Sequence, residues 1–397
     1  MTLVFDESGD FKGKPGLHAF IVGVSDYPHL VQGEQAKTEA NLGLRPLSSA
    51  ALSAFRIFEW LKENRGRMPL PLVSCHLLLA ASDQELKKEP SLVDLLDNPT
   101  FDSFMQQAHT WRNMASTHTG NMTLFYFAGH GAQRSRRDHV MLLHDFGEDV
   151  GGLLSKAVDT NQLINGMART PKYPKMAQTQ LYFIDACRIR PQAFQKYEEL
   201  PTGALWDVPV LAVDDERVIP IFYTAKPGRM SFGIRGNQTI FSRALLQCLN
   251  GGAAVRQDGD GDQPSWQISA HSLINAIGSH IDAINRAVRG NQECQADGLG
   301  RDVPLCRLDG PPPVRVLLVV DPTEAHSLAR VTVINEKDQT VLGPDFLLKP
   351  HPYSDRIPAG NYTLSARIEP QTPGYRDGKW LVLANPPESL WRVRVLG

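Results

Sequence analysis

Met122–Gly131 reads MTLFYFAGHG and Gln180–Arg188 reads QLYFIDACR. Each is a near-continuous apolar run of strand length that ends in reactive residues: His130 between two glycines in the first, Asp185-Ala186-Cys187 in the second. An unbroken apolar run, rather than an alternation, is what a strand covered on both faces requires. His18–Val24 (HAFIVGV), Leu72–Ala80 (LVSCHLLLA) and Val218–Thr224 (VIPIFYT) share this character. Between them, Ser49–Asn64 and Phe101–His118 repeat apolar residues at three and four, as amphipathic helices do. Thr239–Leu249 and Ala270–Val288 follow the same pattern, and Ser48 or Ser49 is the expected N-cap of the first helix. The alternation predicts an α/β domain with a mostly parallel sheet and helices on both faces.

Near residue 300 the texture changes. Gly310-Pro311-Pro312-Pro313 is a stiff joint, and the chain divides there into residues 1–305 and 311–397. Beyond it, RVLLVV, ARVTVIN, TVLG, YTLSARI, WLVLA and WRVRVL are separated by turn residues without a helical stretch, which predicts an all-β sandwich. The run Ile357–Leu364 (IPAGNYTL) resembles a turn-plus-strand of bacterial immunoglobulin-like modules.

The 397 residues carry 41 basic and 43 acidic side chains, a net charge of −2. That balance argues against a dedicated nucleic-acid or membrane-surface binder, and no run of about 18 apolar residues suits a membrane. The acidic N-terminus lacks a secretion pattern, and five scattered cysteines are too few for a disulfide scaffold, so a reducing cytoplasm is expected.

In a parallel α/β sheet, ligands bind at the carboxyl ends of the strands. If the two motif strands are neighbours, His130 and Cys187 face each other there. Imidazole supplies the base a thiol needs to become a nucleophile. Gly129 and Gly131 allow close backbone approach, and an N–H of this turn, with that of Cys187, can meet a developing oxyanion.

These residues resemble the caspase-like cysteine peptidases (peptidase C14, clan CD), most of all their bacterial metacaspase-type branch. In the caspase pattern Q-A-C-[RQG]-G the histidine lies about 50 residues upstream; here Asp185-Ala186-Cys187-Arg188-Ile189 follows His130 by 57. His18–Pro28 is similar to the family's first strand and loop, and Thr239–Leu246 to its helix start after the substrate loop. The resemblance covers residues 18–290 and implies a three-layer fold around a mostly parallel six-stranded sheet. It implies Cys187 as nucleophile, His130 as base and Gly131 as oxyanion donor. It further implies Asp185 as the floor of a primary pocket for a substrate Arg or Lys, since a buried carboxylate wants a cationic partner; Asp26 is read as assisting only from its place just after the first strand.

The resemblance also implies protein substrates, an activating protein, and a role in bacterial stress, defence or cell death. The connection from Arg188 to Arg217 is long for an α/β unit. In the resembled family activating cleavage falls in this connection, and Arg188, Arg190, Lys196 and Arg217 are of the type the implied specificity prefers, so the resemblance implies them as sites of self-cleavage. Two features depart from the family: Arg188-Ile189-Arg190 follows the cysteine, and Leu47-Ser48-Ser49-Ala50 replaces an Asn-Asp-Ala. No cofactor is required on this reading. Asp258, Asp260 and Asp262 alternate with glycine as calcium loops do, but Ser269 stands where a bidentate glutamate belongs, and a solvated turn is the expectation. A catalytically inactive caspase-like scaffold that binds partners, or a different α/β thiol hydrolase such as an amidase, are the alternatives. His18, His76, His139 and His144 are read as packing or surface residues.

Overall fold

A computed structural model describes residues 2–37, 41–135, 138–148, 151–197, 199–208, 215–225, 233, 236–257, 265–347 and 352–397. Two compact units emerge, Met1–Leu246 with His280–Val303, and Gln247–Ser279 with Pro304–Gly397.

In chain order the strands are β1 (Leu3–Asp6), β2 (Leu17–Val24), β3 (Leu72–Ala80), β4 (Met122–Gly129), β5 (Gly131–Gln133), β6 (His139–Leu142), β7 (Ala157–Asp159), β8 (Thr179–Ala186), β9 (Ile221–Tyr223), β10 (Val255–Gln257), β11 (Ser265–Ser269), β12 (Gln295–Asp297), β13 (Pro304–Leu308), β14 (Pro313–Asp321), β15 (Ala329–Asn335), β16 (Thr340–Leu347), β17 (Tyr353–Pro358), β18 (Gly360–Ile368), β19 (Gly378–Ala384) and β20 (Glu388–Arg394). The helices are α1 (Ala50–Glu63), α2 (Asp83–Lys88), α3 (Phe101–Ala115), α4 (Thr160–Gly166), α5 (Ile240–Gln247) and α6 (Ala270–Val288).

The first unit is built on one sheet of order β1-β3-β2-β4-β8-β9-β12. The five inner strands are parallel, while β1 and β12 add antiparallel edges. Seven strands thus replace the expected six. The edges are short and incompletely buried, so they lack the apolar run that marks the inner strands.

Alternation along β2 divides the sheet's two faces. Phe20 points into an aromatic cluster with Phe104 and Trp111 of α3 and Phe125 of β4, at ring separations of 5.1–5.8 Å. Gly23 faces the other way: a Cβ there would lie 2.7 Å from the Ala54 methyl of α1, so the helix backbone seats directly on the sheet.

Helix α1 starts where expected, but neither serine caps it through its side chain. Ser25 Oγ accepts from Ala50 N and Ala51 N, and buried Glu85 accepts from Leu52 N. The orphan amides are thus satisfied by residues distant in sequence. The second predicted helix ends at Ala115, because the Ser116 and Thr117 hydroxyls fold back to the carbonyls of Asn113 and Met114. The predicted strand at Val218–Thr224 is regular only at Ile221–Tyr223. Pro220 lacks an N–H, yet its carbonyl and that of Val218 still accept from β8.

In the second unit, β17-β14-β20 and β16-β15-β18-β19 form two sheets, and β10-β11-β13 a third. Val314, Val316, Leu318 and Val320 alternate inward along β14, and Tyr362 of one sheet meets Trp391 of the other at 5.9 Å. The Tyr362 hydroxyl donates to Pro358 O at 2.7 Å, locking the turn that opens β18. The sequence showed neither β10 nor β13, nor a 3-10 turn at Thr323–Leu328, nor β17, whose mostly polar, exposed residues carry no strand signal. Asp258, Asp260 and Asp262 lie outside the described residues.

Candidate active site

Strands β4 and β8 are hydrogen-bonded neighbours in parallel register, and their last pair is Gly129 with Ala186. His130 and Cys187 are the next residues of each strand, so the register brings both to the same point on the carboxyl edge of the sheet.

The imidazole of His130 is tied down. Its Nε2 lies 2.7 Å from the carbonyl oxygen of Arg45. A carbonyl only accepts, so Nε2 carries the proton and Nδ1 keeps its lone pair. Burial pushes the ring down to about 4, with the Arg45 bond opposing, so it is neutral near pH 7. Its ring packs 5.0 Å from that of Tyr27. The Tyr27 hydroxyl accepts from His130 N at 2.8 Å and donates to Leu142 O at 3.1 Å. It occupies the place where His130 N would bond directly to Leu142 in the β5–β6 ladder, whose reciprocal bond, Leu142 N to His130 O, is intact at 2.9 Å. Burial holds the Tyr27 phenol far above its ordinary value, with the nearby Cys187 adding to the shift. Tyr27 is thus linked to His130 by a hydrogen bond and to Cys187 by charge.

None of the five cysteines is in a disulfide; Cys75, Cys248 and Cys306 are buried, Cys187 and Cys294 partly accessible. Burial, then the charge of Asp185, pushes Cys294 up to about 12, which keeps it a thiol.

Gly131 is at a non-hydrogen-bonded position of the β5–β6 ladder. Its N–H points to the same side as that of Gln133, which donates to Ile189 O at 2.9 Å, the side where the chain leaves Cys187. A Cβ on Gly131 would lie 2.5 Å from His139 Nε2 and 2.8 Å from both the Ala186 methyl and the Cys187 carbonyl oxygen. Only glycine fits.

Asp185 lies on the α1 face, 2% exposed. Its Oδ2 accepts from the Tyr126 hydroxyl at 3.2 Å and from that of Thr239. Thr239 Oγ1 also accepts from Ser242 N, so the start of α5 and the aspartate share one hydroxyl. Asp26 lies after β2, its carboxylate 3.7 Å from His144 Nδ1.

The four basic residues of the connection after Cys187 separate into two kinds. Arg188 is 6% exposed with its guanidinium over the Tyr223 ring at 4.3 Å. Arg217 pairs with Asp215 at 2.6 Å and donates to Ile164 O at 2.9 Å. Arg190 and Lys196 are exposed.

Sequence reasoning missed Tyr27, Tyr126, Thr239 and the carbonyl of Arg45, and read His139 as packing. His139 is buried, and its Nε2 lies 3.0 Å from the Cys187 carbonyl. None carries a local signal, because each acts across the fold. Among the described residues, no group of three or more His, Cys, Asp or Glu is gathered for a metal, and no helix is long and apolar enough to cross a membrane.

Residues 17–294 match the family model described as the caspase domain of peptidase C14. Among solved structures, the chain is similar to caspase-1 from Spodoptera frugiperda at 11% identity, covering 73% of this chain and 88% of that one, with a TM-score of 0.40. It is also similar to pro-sf-caspase-1 at 12% identity, covering 77% and 90%, with a TM-score of 0.34. No curated protein matches the chain.

Proposed function

This chain belongs to the caspase-domain family of cysteine peptidases, and on that premise we propose an endopeptidase of metacaspase type that cleaves after arginine or lysine through Cys187 and His130. The observation that carries the reading is the β4–β8 register, which ends both strands side by side at the imidazole and the thiol.

Cys187 transfers its proton to Nδ1 of His130 as the sulfur attacks the scissile carbonyl carbon. The negative oxygen is met by the N–H groups of Gly131 and Cys187. The imidazolium then gives the proton to the departing amine. The same ring next deprotonates a water, which hydrolyses the thioester and releases Cys187 as a thiol. Because burial keeps His130 neutral near pH 7, it acts as a general base from the resting state.

Asp185 supplies the carboxylate for the basic substrate side chain, and Asp26 stands as a second acid near the end of β2. Self-cleavage falls at exposed Arg190 or Lys196, since the side chains of Arg188 and Arg217 are buried in packing and ion-pair contacts. The reaction routes no step through calcium or any other cofactor. Action in the cytoplasm under an activating protein, in stress, defence or cell death, completes the proposal.

Digestion of an unbiased peptide library by the wild type and by Cys187→Ala, read by mass spectrometry, tests it. Cleavage after Arg or Lys, lost in the variant, is expected. Preference for cleavage after Asp, or turnover surviving Cys187→Ala, overturns it.

A further inference from the structure

Helices α3 and α4, the turn at residues 170–173 and the segment 204–208 line an open concavity of about 740 Å³ in the first unit. This lies within the size range of small-molecule sites, roughly 300–1,000 Å³. Arg112 is in its wall, only 5% exposed. Its guanidinium is held between two aromatic rings, 4.3 Å from the centroid of Tyr173 and 4.9 Å from that of Trp206. It makes no hydrogen bond to any described residue, and Nε is buried with no partner.

Aromatic faces fix the plane of a guanidinium but satisfy none of its five N–H donors. A buried cation in that condition is costly, and its in-plane fork suits the paired oxygens of a phosphate or carboxylate. A second cation borders the same space: Lys172, whose Nζ lies 5.4 Å from the Tyr173 centroid. Asp207, also in the wall, is exposed and makes no hydrogen bond to Arg112; its charge only partly offsets the burial that pushes the Arg112 guanidinium down, so a ligand anion must compete with one carboxylate at the rim.

The cavity wall is built rather than incidental. The Trp206 indole donates to Gln162 O at 2.7 Å, Leu205 N donates to Gln162 Oε1 at 3.0 Å, and His109 Nε2 donates to Leu205 O at 3.1 Å. Gly166 makes room for Trp206, since a Cβ there would sit 1.6 Å from the indole nitrogen. Trp206 itself belongs to the connection between Cys187 and β9.

We propose that this cavity binds a small molecule bearing a multiply charged oxyanion, phosphate or polycarboxylate, gripped by the Arg112 fork with Lys172 as the second cation. Two charged groups on one wall favour several negative oxygens over a single carboxylate.

The test is calorimetric titration and thermal unfolding of the full chain with pyrophosphate, ADP and citrate, on wild type, Arg112→Lys and Lys172→Ala. Arg112→Lys keeps the charge but removes the fork; Lys172→Ala alters an exposed side chain and keeps the reading open if the first variant fails to fold. Saturable binding of at least one probe with a raised Tm is expected, weakened roughly tenfold or more by Arg112→Lys and severalfold by Lys172→Ala. ADP binding well above pyrophosphate identifies a nucleotide, and citrate matching pyrophosphate a polycarboxylate; either supports the site. The absence of saturable binding to wild type at about 10 mM of every probe, or affinity unchanged in both variants, overturns it and leaves Arg112 a purely structural stack.

Discussion

Nε2 of His139 lies 3.0 Å from the main-chain oxygen of Cys187, while its Nδ1 faces the Thr160 hydroxyl at 3.1 Å. The carbonyl can only accept, so Nε2 carries the proton and Thr160 donates to Nδ1. Burial pushes this ring down to about 4, which keeps it in that neutral form. One imidazole thus holds the peptide that follows the thiol and, through the same nitrogen, sets the clearance over Gly131.

Replacing His139 therefore separates hydrogen bonding from packing. His139→Leu leaves the Cys187 carbonyl without its donor, at a cost of about 1–3 kcal/mol. It is expected to lower kcat far more than it raises KM. His139→Gln retains an N–H donor of similar reach and is expected to restore most of the activity. Denaturant unfolding and steady-state peptide cleavage measure the two effects, and equal activity in the two variants would refute the positioning role.

Gly131→Ala tests the same corner from the other side. The new methyl meets the His139 ring, the Ala186 methyl and the Cys187 carbonyl oxygen, all within 2.8 Å. Neither the buried ring nor the backbone can yield cheaply, so overpacking of about 1–3 kcal/mol is expected. A displaced Gly131 N–H adds a loss in kcat of roughly 100-fold, the scale of one oxyanion donor. Wild-type kcat in a folded Gly131→Ala protein would exclude Gly131 from that role.

Tyr27→Phe removes a hydroxyl that bridges His130 N and Leu142 O. Either both groups lose a partner, or the ladder closes directly and draws His130 toward β6. Both outcomes lower stability by about 1–3 kcal/mol and disturb the His130 ring, whose strand ends beside that of Cys187. The expected result is a reduced Tm together with a reduced kcat and a nearly unchanged KM, read by thermal unfolding and peptide cleavage.

The sequence carried the parallel core and the two strand tips because both signals are local. Leu72–Ala80 and Ala270–Val288 show in full as an apolar run and a 3.6-residue period, and both occur with those bounds. The antiparallel edges β1 and β12, and the three-residue strands β5 and β7, are too short to show any period. Helix α1 starts at the expected Ser49 cap, but its amides are met by Ser25 and Glu85 rather than by that serine's side chain, a long-range arrangement with no local signal. The site divides in the same way. His130 and Cys187 end recognisable strands, whereas Tyr27, Arg45 and His139 reach them across separations of 103, 85 and 48 residues, which no window on the sequence spans.

Three buried histidines make the fold acid-sensitive in a defined window. Burial pushes His18, His130 and His139 each down to about 4 from the ordinary 6.5. Between those two values the unfolded chain binds protons that the folded protein does not, so folded stability falls as pH falls from about 6.5 toward 4. Above about 6.5 both states are neutral at these rings and the contribution is constant. Each histidine contributes up to about 1.4 kcal/mol per pH unit inside the window, and three together about 4. That slope is large against a typical domain stability of about 5–15 kcal/mol. Guanidinium unfolding midpoints measured at pH 7, 6 and 5 are expected to drop steeply, and His139→Gln to shed up to about 1.4 kcal/mol per pH unit of that slope. A midpoint that stays level from pH 6.5 to 4.5 would show that these rings take up protons in the folded state.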